Sequence, residues 1–186
     1  MAEELFDVVD ENDCVTEILP RSVVHQRRLL HRAIHVFVFR DNGEMLIHKR
    51  SATKEEFPSV WTSSCSGHVS SGESYDESAP RELLEELGIQ ATLQPVQKFN
   101  ACPETSFEFT MLYRANSNDS IVPDPQEMTE IRWMNPAAID RWLQSSPQAF
   151  SPAFRVLFTA FFPAPELVSG VHTESALPSK SGAKSL

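Results

Sequence analysis

Between Gly67 and Ile89 the chain reads GHVSSGESYDESAPRELLEELGI, and few structures satisfy that stretch. Ser74 followed by Glu77 has the form of a capping box, so a helix is expected to start near Tyr75, and Gly88 supplies its stop. At ~100° per residue, Glu82, Glu85 and Glu86 share one sector while Leu83, Leu84 and Leu87 group on nearly the opposite side. One face must pack against a core, and the other presents carboxylates. Like charges at these spacings repel, so the acidic face costs stability unless cations occupy it. Mg²⁺, or Mn²⁺ in its place, suits such a face: it takes hard oxygen ligands and completes its shell with water and substrate phosphate oxygens. Pro80 interrupts the pattern. Inside a helix it removes a backbone donor and crowds the preceding turn at ~3 kcal/mol, so a kink or a later helix start is expected.

The formal net charge of −10 argues against a surface built to neutralise many nucleic-acid phosphates, so no nucleic-acid polymer is expected as a partner. A small anionic ligand would need local basic residues or bound cations. Cys14, Cys65 and Cys102 are widely spaced and form no C-x-x-C pair, which argues against a zinc centre, a redox pair or a disulfide framework. The first twenty residues are acidic where a leader would be basic and apolar, and no apolar run reaches membrane-spanning length. A cytoplasmic protein without a membrane partner is expected.

A length of 186 residues suits one full core. Two short apolar stretches around Glu11-Asn12-Asp13 predict a hairpin over Phe6 to Pro20, within an extension spanning residues 1–29. Residues 30–163 form the main domain. Ile34, Val36 and Val38 alternate with His35, Phe37 and Phe39, which fits a strand buried on both faces. Asp41-Asn42-Gly43 turns the chain into an antiparallel partner over Glu44 to Lys49, and Ser51 to Ser66 reads as a long loop. Further strands are expected at Phe107 to Tyr113 and Glu130 to Met134, and helices at Pro136 to Leu143 and Pro152 to Phe162. Such alternation predicts a mixed α/β sandwich. Residues 164–186 turn toward Ser, Pro, Gly and Lys and are expected to be a disordered tail. Trp61 and Trp133 are read as core, and Cys65 as a small buried residue.

The spacing Gly67, Glu73, Arg81-Glu82-Leu83, Glu85-Glu86 and Gly88-Ile89 resembles the Nudix box, written G-x5-E-x7-R-E-U-x-E-E-x-G-U, at every fixed position. This resemblance implies an α/β fold, the Nudix-type α/β/α sandwich with a mixed β-sheet. It also implies an enzyme that binds divalent metal through Glu82, Glu85, Glu86 and the backbone carbonyl of Ser66. Glu85 and Glu86 would be catalytic, with Arg81 and Glu73 orienting them. Arg50 and Lys54 sit where related proteins contact substrate phosphate. The expected substrate is a small organic diphosphate, and homodimers are common in the family.

From Phe6 to Phe162 the chain also resembles the type 1 isopentenyl-diphosphate isomerases, through Leu30-His31-Arg32-Ala33, Phe57-Pro58-Ser59-Val60-Trp61-Thr62 and Ala149-Phe150-Ser151-Pro152. Those isomerases carry a cysteine immediately before the box glycine and a pair of downstream glutamates. Here Ser66 takes the first position, with Cys65 one residue early, and of the glutamate pair Glu108 is present and Ser106 replaces its partner. Their metal-site histidines look like His31 and His68, with His25 near but not on the expected spacing. With the box intact and the isomerase set incomplete, hydrolysis of a phosphoanhydride bond is the expected reaction. Isomerisation of isopentenyl diphosphate is the alternative, and an inactive Nudix-fold binding module, which would generally have lost box glutamates, is third.

Overall fold

The computed structural model describes residues 3–163, so the expectation of a disordered tail at 164–186 lies outside the described residues. A leading antiparallel hairpin, β1 (Leu5–Val9) and β2 (Val15–Pro20), is followed by a short helix, α1 (Arg21–Arg27). The main sheet is built from β3 (His31–Phe39), β4 (Met45–Arg50), β5 (Trp61–Thr62) and β6 (Cys65–His68). Helix α2 (Tyr75–Leu87) comes next, and β7 (Gln94–Phe99), β8 (Glu108–Asn116) and β9 (Met128–Met134) complete the sheet. Helices α3 (Pro136–Ser145) and α4 (Pro152–Phe161) close the described chain.

Strand β3 organises the sheet because both of its faces are apolar. It runs parallel to β8 and antiparallel to β6, and it meets β4 only at the Phe39–Met45 pair beside the turn. Beyond that pair β4 turns to other partners, β5 and β9. Ile34, Val36 and Val38 pack with Ala79, Leu83 and Leu87 of α2, whereas Phe37 and Phe39 pack with Ile139, Phe154, Leu157 and Phe158 of α3 and α4. The result is the expected helix–sheet–helix sandwich with a mixed sheet. Burying a leucine such as the fully enclosed Leu83 contributes about 1.5–3 kcal/mol, which fixes the rotation of α2 and turns its glutamates the other way.

Helix α2 begins where its capping box places it. The Ser74 hydroxyl accepts from the Glu77 N–H at 3.3 Å, and the Glu77 carboxylate accepts from the Ser74 N–H at 2.8 Å. Gly88 ends it in the left-handed conformation, φ 67°, with its N–H on the Leu84 carbonyl. The helix spans Pro80 without a later start. Pro80 and Asp76, whose carbonyl loses its partner, are both exposed, so water can replace the missing bond.

One other expectation needs correction, and two elements were not expected at all. The loop assigned to Ser51–Ser66 ends in paired strands, β5 and the start of β6. Helix α1 and strand β7 carried no readable signal: α1 lacks a side-chain cap, and β7 holds a proline and a register shift on an exposed edge. Phe6, packed with Val24 and Leu29, seats the hairpin and α1 on the sheet, while Asp13 accepts from Arg32 at 2.6 Å, from the Tyr75 hydroxyl at 3.0 Å and from Lys98. That anchoring carries His25 to one end of the cavity described next.

Candidate active site

Strand register gathers the polar residues of the sheet. Ala33 lies opposite His68, His35 opposite Ser66, and His31 beside Glu108, so the side chains of alternate residues share one face. Ala33, His35, Ser66, His68 and Glu108 line a cavity of about 270 Å³ that also takes in Glu82 and Glu86 of α2, Arg50, Lys54 and Glu127.

On the α2 side the three box glutamates are not equivalent. Glu86 is buried and accepts the Ser66 N–H at 3.2 Å. Glu82 lies against Gly67 so closely that a Cβ there would stand 2.2 Å from its carboxyl carbon, which is why glycine opens the box. The side chain of Glu85 is 59% exposed and turns to Arg81. Arg81 bonds Glu73 at 2.7 and 3.0 Å, Glu82 at 2.8 Å and Glu85 at 3.1 Å, the arrangement expected of an orienting residue. Lys54 pairs with Glu127, a cavity residue that no motif in the sequence marked. Arg50 donates from Nε and one terminal nitrogen to the Glu56 carbonyl at 3.1 and 3.0 Å, so a loop peptide holds it at the cavity wall.

Burial pushes Glu82 up to about 7, against the pull of Arg81, and pushes Glu86 up to about 8, with Glu82 and Glu127 adding to the shift. Desolvated carboxylates this close together fit a hard divalent cation. A stability test follows from the sign of these shifts. In the metal-free protein both groups ionise at higher pH folded than unfolded, so stability falls as pH rises toward 8. Below about 6.5 the buried histidines oppose this trend, since burial lowers His25, His35 and His48 to about 4. Between about pH 6.5 and 8 the glutamates act alone among these groups. The melting temperature in chelator should therefore drop across that window, and Mg²⁺ should abolish the drop. A flat profile in chelator would refute the assignment.

On the opposite wall His25, His31 and His68 bring one ring nitrogen each within 4.8 Å of the others. The His31 Nδ1–H donates to the Leu29 carbonyl at 2.9 Å, which leaves Nε2 as a lone pair when the ring is neutral. That lone pair faces Glu108 Oε1 at 3.6 Å, and His68 Nε2 faces the same oxygen at 3.1 Å. Both Nε2 atoms, and both ring nitrogens of His25, are buried without a hydrogen-bond partner among the described residues. Acceptors facing one another need a proton or a cation between them, so this cluster fits a second ion suited to imidazole and carboxylate. Burial alone would raise Glu108, but its contacts with His31 and His68 outweigh that and hold it well below the usual carboxylate range. The sequence pattern reached His31, His68 and Glu108 and brought His25 only near its place; α1 seats it among them. The Ser106 position also lines the cavity.

Cys65 is fully buried and pairs with Val36 on the α2 side of the sheet, where burial pushes its thiol up. Ser66, one residue on, takes the cavity face opposite His35.

A helix–sheet–helix sandwich carrying this box and this acidic cavity defines a class, and the chain belongs to it: the NUDIX domain family matches residues 29–154. Within that class it is similar to isopentenyl-diphosphate Delta-isomerase 2 of Photorhabdus laumondii, 29% identical over 160 residues that cover 82% of this chain and 89% of the relative. The isopentenyl-diphosphate Delta-isomerase of Nocardia farcinica is 32% identical over 153 residues, 78% of this chain and 87% of the relative. A crystal structure of a Deinococcus radiodurans protein superposes with a TM-score of 0.75 at 26% identity, covering 84% of this chain and 98% of that one. These relatives correct the expectation of a phosphoanhydride hydrolase. Similarity along most of the chain leads to proteins named as isomerases, so an intact box does not by itself specify hydrolysis. No described helix is long and apolar enough to cross a membrane.

Proposed function

We propose that this enzyme isomerises a small organic diphosphate of the isopentenyl type, moving a carbon–carbon double bond by one position with divalent cation bound. The observation that carries the reading is Glu108, a buried carboxylate that faces His31 and His68 and lines the cavity that Ser66 also lines. Cleaving a phosphoanhydride at α2 has no use for a protic cluster on the far wall. Moving a double bond requires one carbon to gain a proton and another to lose one. The names of the relatives support the same choice.

Glu108 is assigned one of the two proton transfers, as a carboxylate kept ionised beside His31 and His68. The Ser66 hydroxyl stands where the resemblance expects a thiol and is assigned the other. Glu82, Glu86 and the Ser66 carbonyl are assigned the cation that neutralises the diphosphate, with Glu85 able to swing in from Arg81. Arg81 and Glu73 position these carboxylates, and Arg50 and Lys54 meet phosphate oxygens. The cavity's carboxylates also favour positive charge developing on carbon, as alkene protonation demands.

The test is incubation with isopentenyl diphosphate and Mg²⁺ in D₂O, followed by NMR. Dimethylallyl diphosphate carrying deuterium at carbon is expected, without phosphate release. An alcohol is a weaker acid than a thiol, so Ser66→Cys should speed exchange by about tenfold or more. Phosphate release with no deuterium at carbon in either protein would eliminate the isomerase.

A further inference from the structure

The cavity wall around β5 is unusual for a site meant to hold a bare hydrocarbon. Thr62, His35 and Ser151 all line it, and they are only 1%, 5% and 4% exposed. Their hydrogen-bond capacity is not used up within the protein. Thr62 Oγ1 and Ser151 Oγ lie 3.0 Å apart, and Ser151 Oγ also accepts the Phe154 N–H at 3.2 Å as the cap of α4. Two hydroxyls bring two protons, and the bond between them consumes one. Whichever of them donates, the other's proton finds no acceptor among the described residues. His35 repeats the pattern. Its Nδ1 is held by the buried Ser63 hydroxyl at 2.6 Å, which fixes the ring, and its Nε2 bonds nothing among the described residues. Burial lowers its pKa to about 4, so the ring is neutral near pH 7. The apolar lining is sparse, amounting to Ala33, Ile34, Phe57 and Ala153.

Buried polar groups with unused capacity penalise an apolar occupant and reward one that completes their bonds. We propose that the organic part of the natural substrate carries a hydroxyl or carbonyl oxygen, and that His35 with the Thr62–Ser151 pair reads it. The inference rests on the diphosphate-isomerase reading for the other end of the ligand, but it concerns recognition and not chemistry. A binding measurement therefore separates the two.

The experiment uses two saturated, unreactive probes in Mg²⁺: isopentyl diphosphate and the same compound with a hydroxyl on its terminal carbon. Titration calorimetry on the full chain should show the hydroxylated probe binding about tenfold tighter or more, the worth of one to two hydrogen bonds that would otherwise go unmade. Thr62→Val combined with Ser151→Ala removes both hydroxyls of the pair, and His35→Gln shortens the reach of the ring nitrogen. Each should shrink the preference severalfold while leaving affinity for isopentyl diphosphate within about twofold of wild type. Equal affinities in the wild-type protein, or no binding of either probe, would overturn the proposal. So would a preference that survives in both variants. Should either variant be unfolded at the assay temperature, the wild-type ratio and the other variant decide. Tight binding of the hydroxylated probe by a protein that moves no double bond would support this inference and sink the isomerase alone.

Discussion

Replacing Glu108 by glutamine is expected to reduce turnover about 10³-fold while the protein still binds a diphosphate in Mg²⁺ with near-native affinity. Glutamine keeps the volume of the side chain, and the backbone pairing of His31 with Glu108 does not depend on the carboxylate. Charge and basicity are what disappear. The carboxylate facing His31 at 3.6 Å and His68 at 3.1 Å would become an amide, unable to take a proton from carbon. The α2 carboxylates, on the other wall, should keep their cation and so the diphosphate. Deuterium incorporation reports the proton transfer, and calorimetry reports binding. A variant that kept near-native exchange would remove Glu108 from the chemistry. One that lost exchange and diphosphate binding together would mean that the histidine wall holds the phosphate, which would invert the orientation argued above.

How far the sequence carried this site depended on whether the signal was local. The box residues were legible because the capping box, Gly88 and the leucine stripe act within α2 itself, and Arg81 and Gly67 both act on its Glu82. Strand β3 was legible because burial on both faces leaves a continuous apolar run. Glu127 and His25 were not. Each enters the cavity through packing between distant segments, Glu127 beside Lys54 and His25 through a seven-residue helix seated on Phe6. The reaction was misread for a related reason. On the proposed reading the box holds a diphosphate through metal, a requirement that a hydrolase and an isomerase share. What the proposal takes to separate them lies elsewhere, where register brings Glu108, His31 and His68 together from β8, β3 and β6. The reading of Cys65 as a small buried residue did survive, because β6 turns its side chain to the face opposite that of Ser66.

Glu86→Gln should separate a metal ligand from a structural residue by moving activity and stability in opposite directions. Turnover is expected to fall about 10³-fold, because the lost charge is the one most deeply placed to hold the cation that neutralises the diphosphate. Metal-free stability should rise. Glu86 is buried against Glu82 and Glu127, and ionising it in the folded state is unfavourable enough to push it up to about 8. A neutral glutamine of the same length escapes that repulsion, and its carbonyl oxygen can still accept the Ser66 N–H that Glu86 accepts at 3.2 Å. In chelator at about pH 8, where Glu86 is at its half-ionised point and Glu82 is mostly charged, the variant should therefore melt above the wild type. Adding Mg²⁺ should reverse the order, because an ion that binds only the folded state stabilises in proportion to its affinity and the variant has lost a ligand. The reversal is the diagnostic. A structural role for Glu86 predicts a variant less stable than wild type with or without Mg²⁺, and that result would displace the cation from α2.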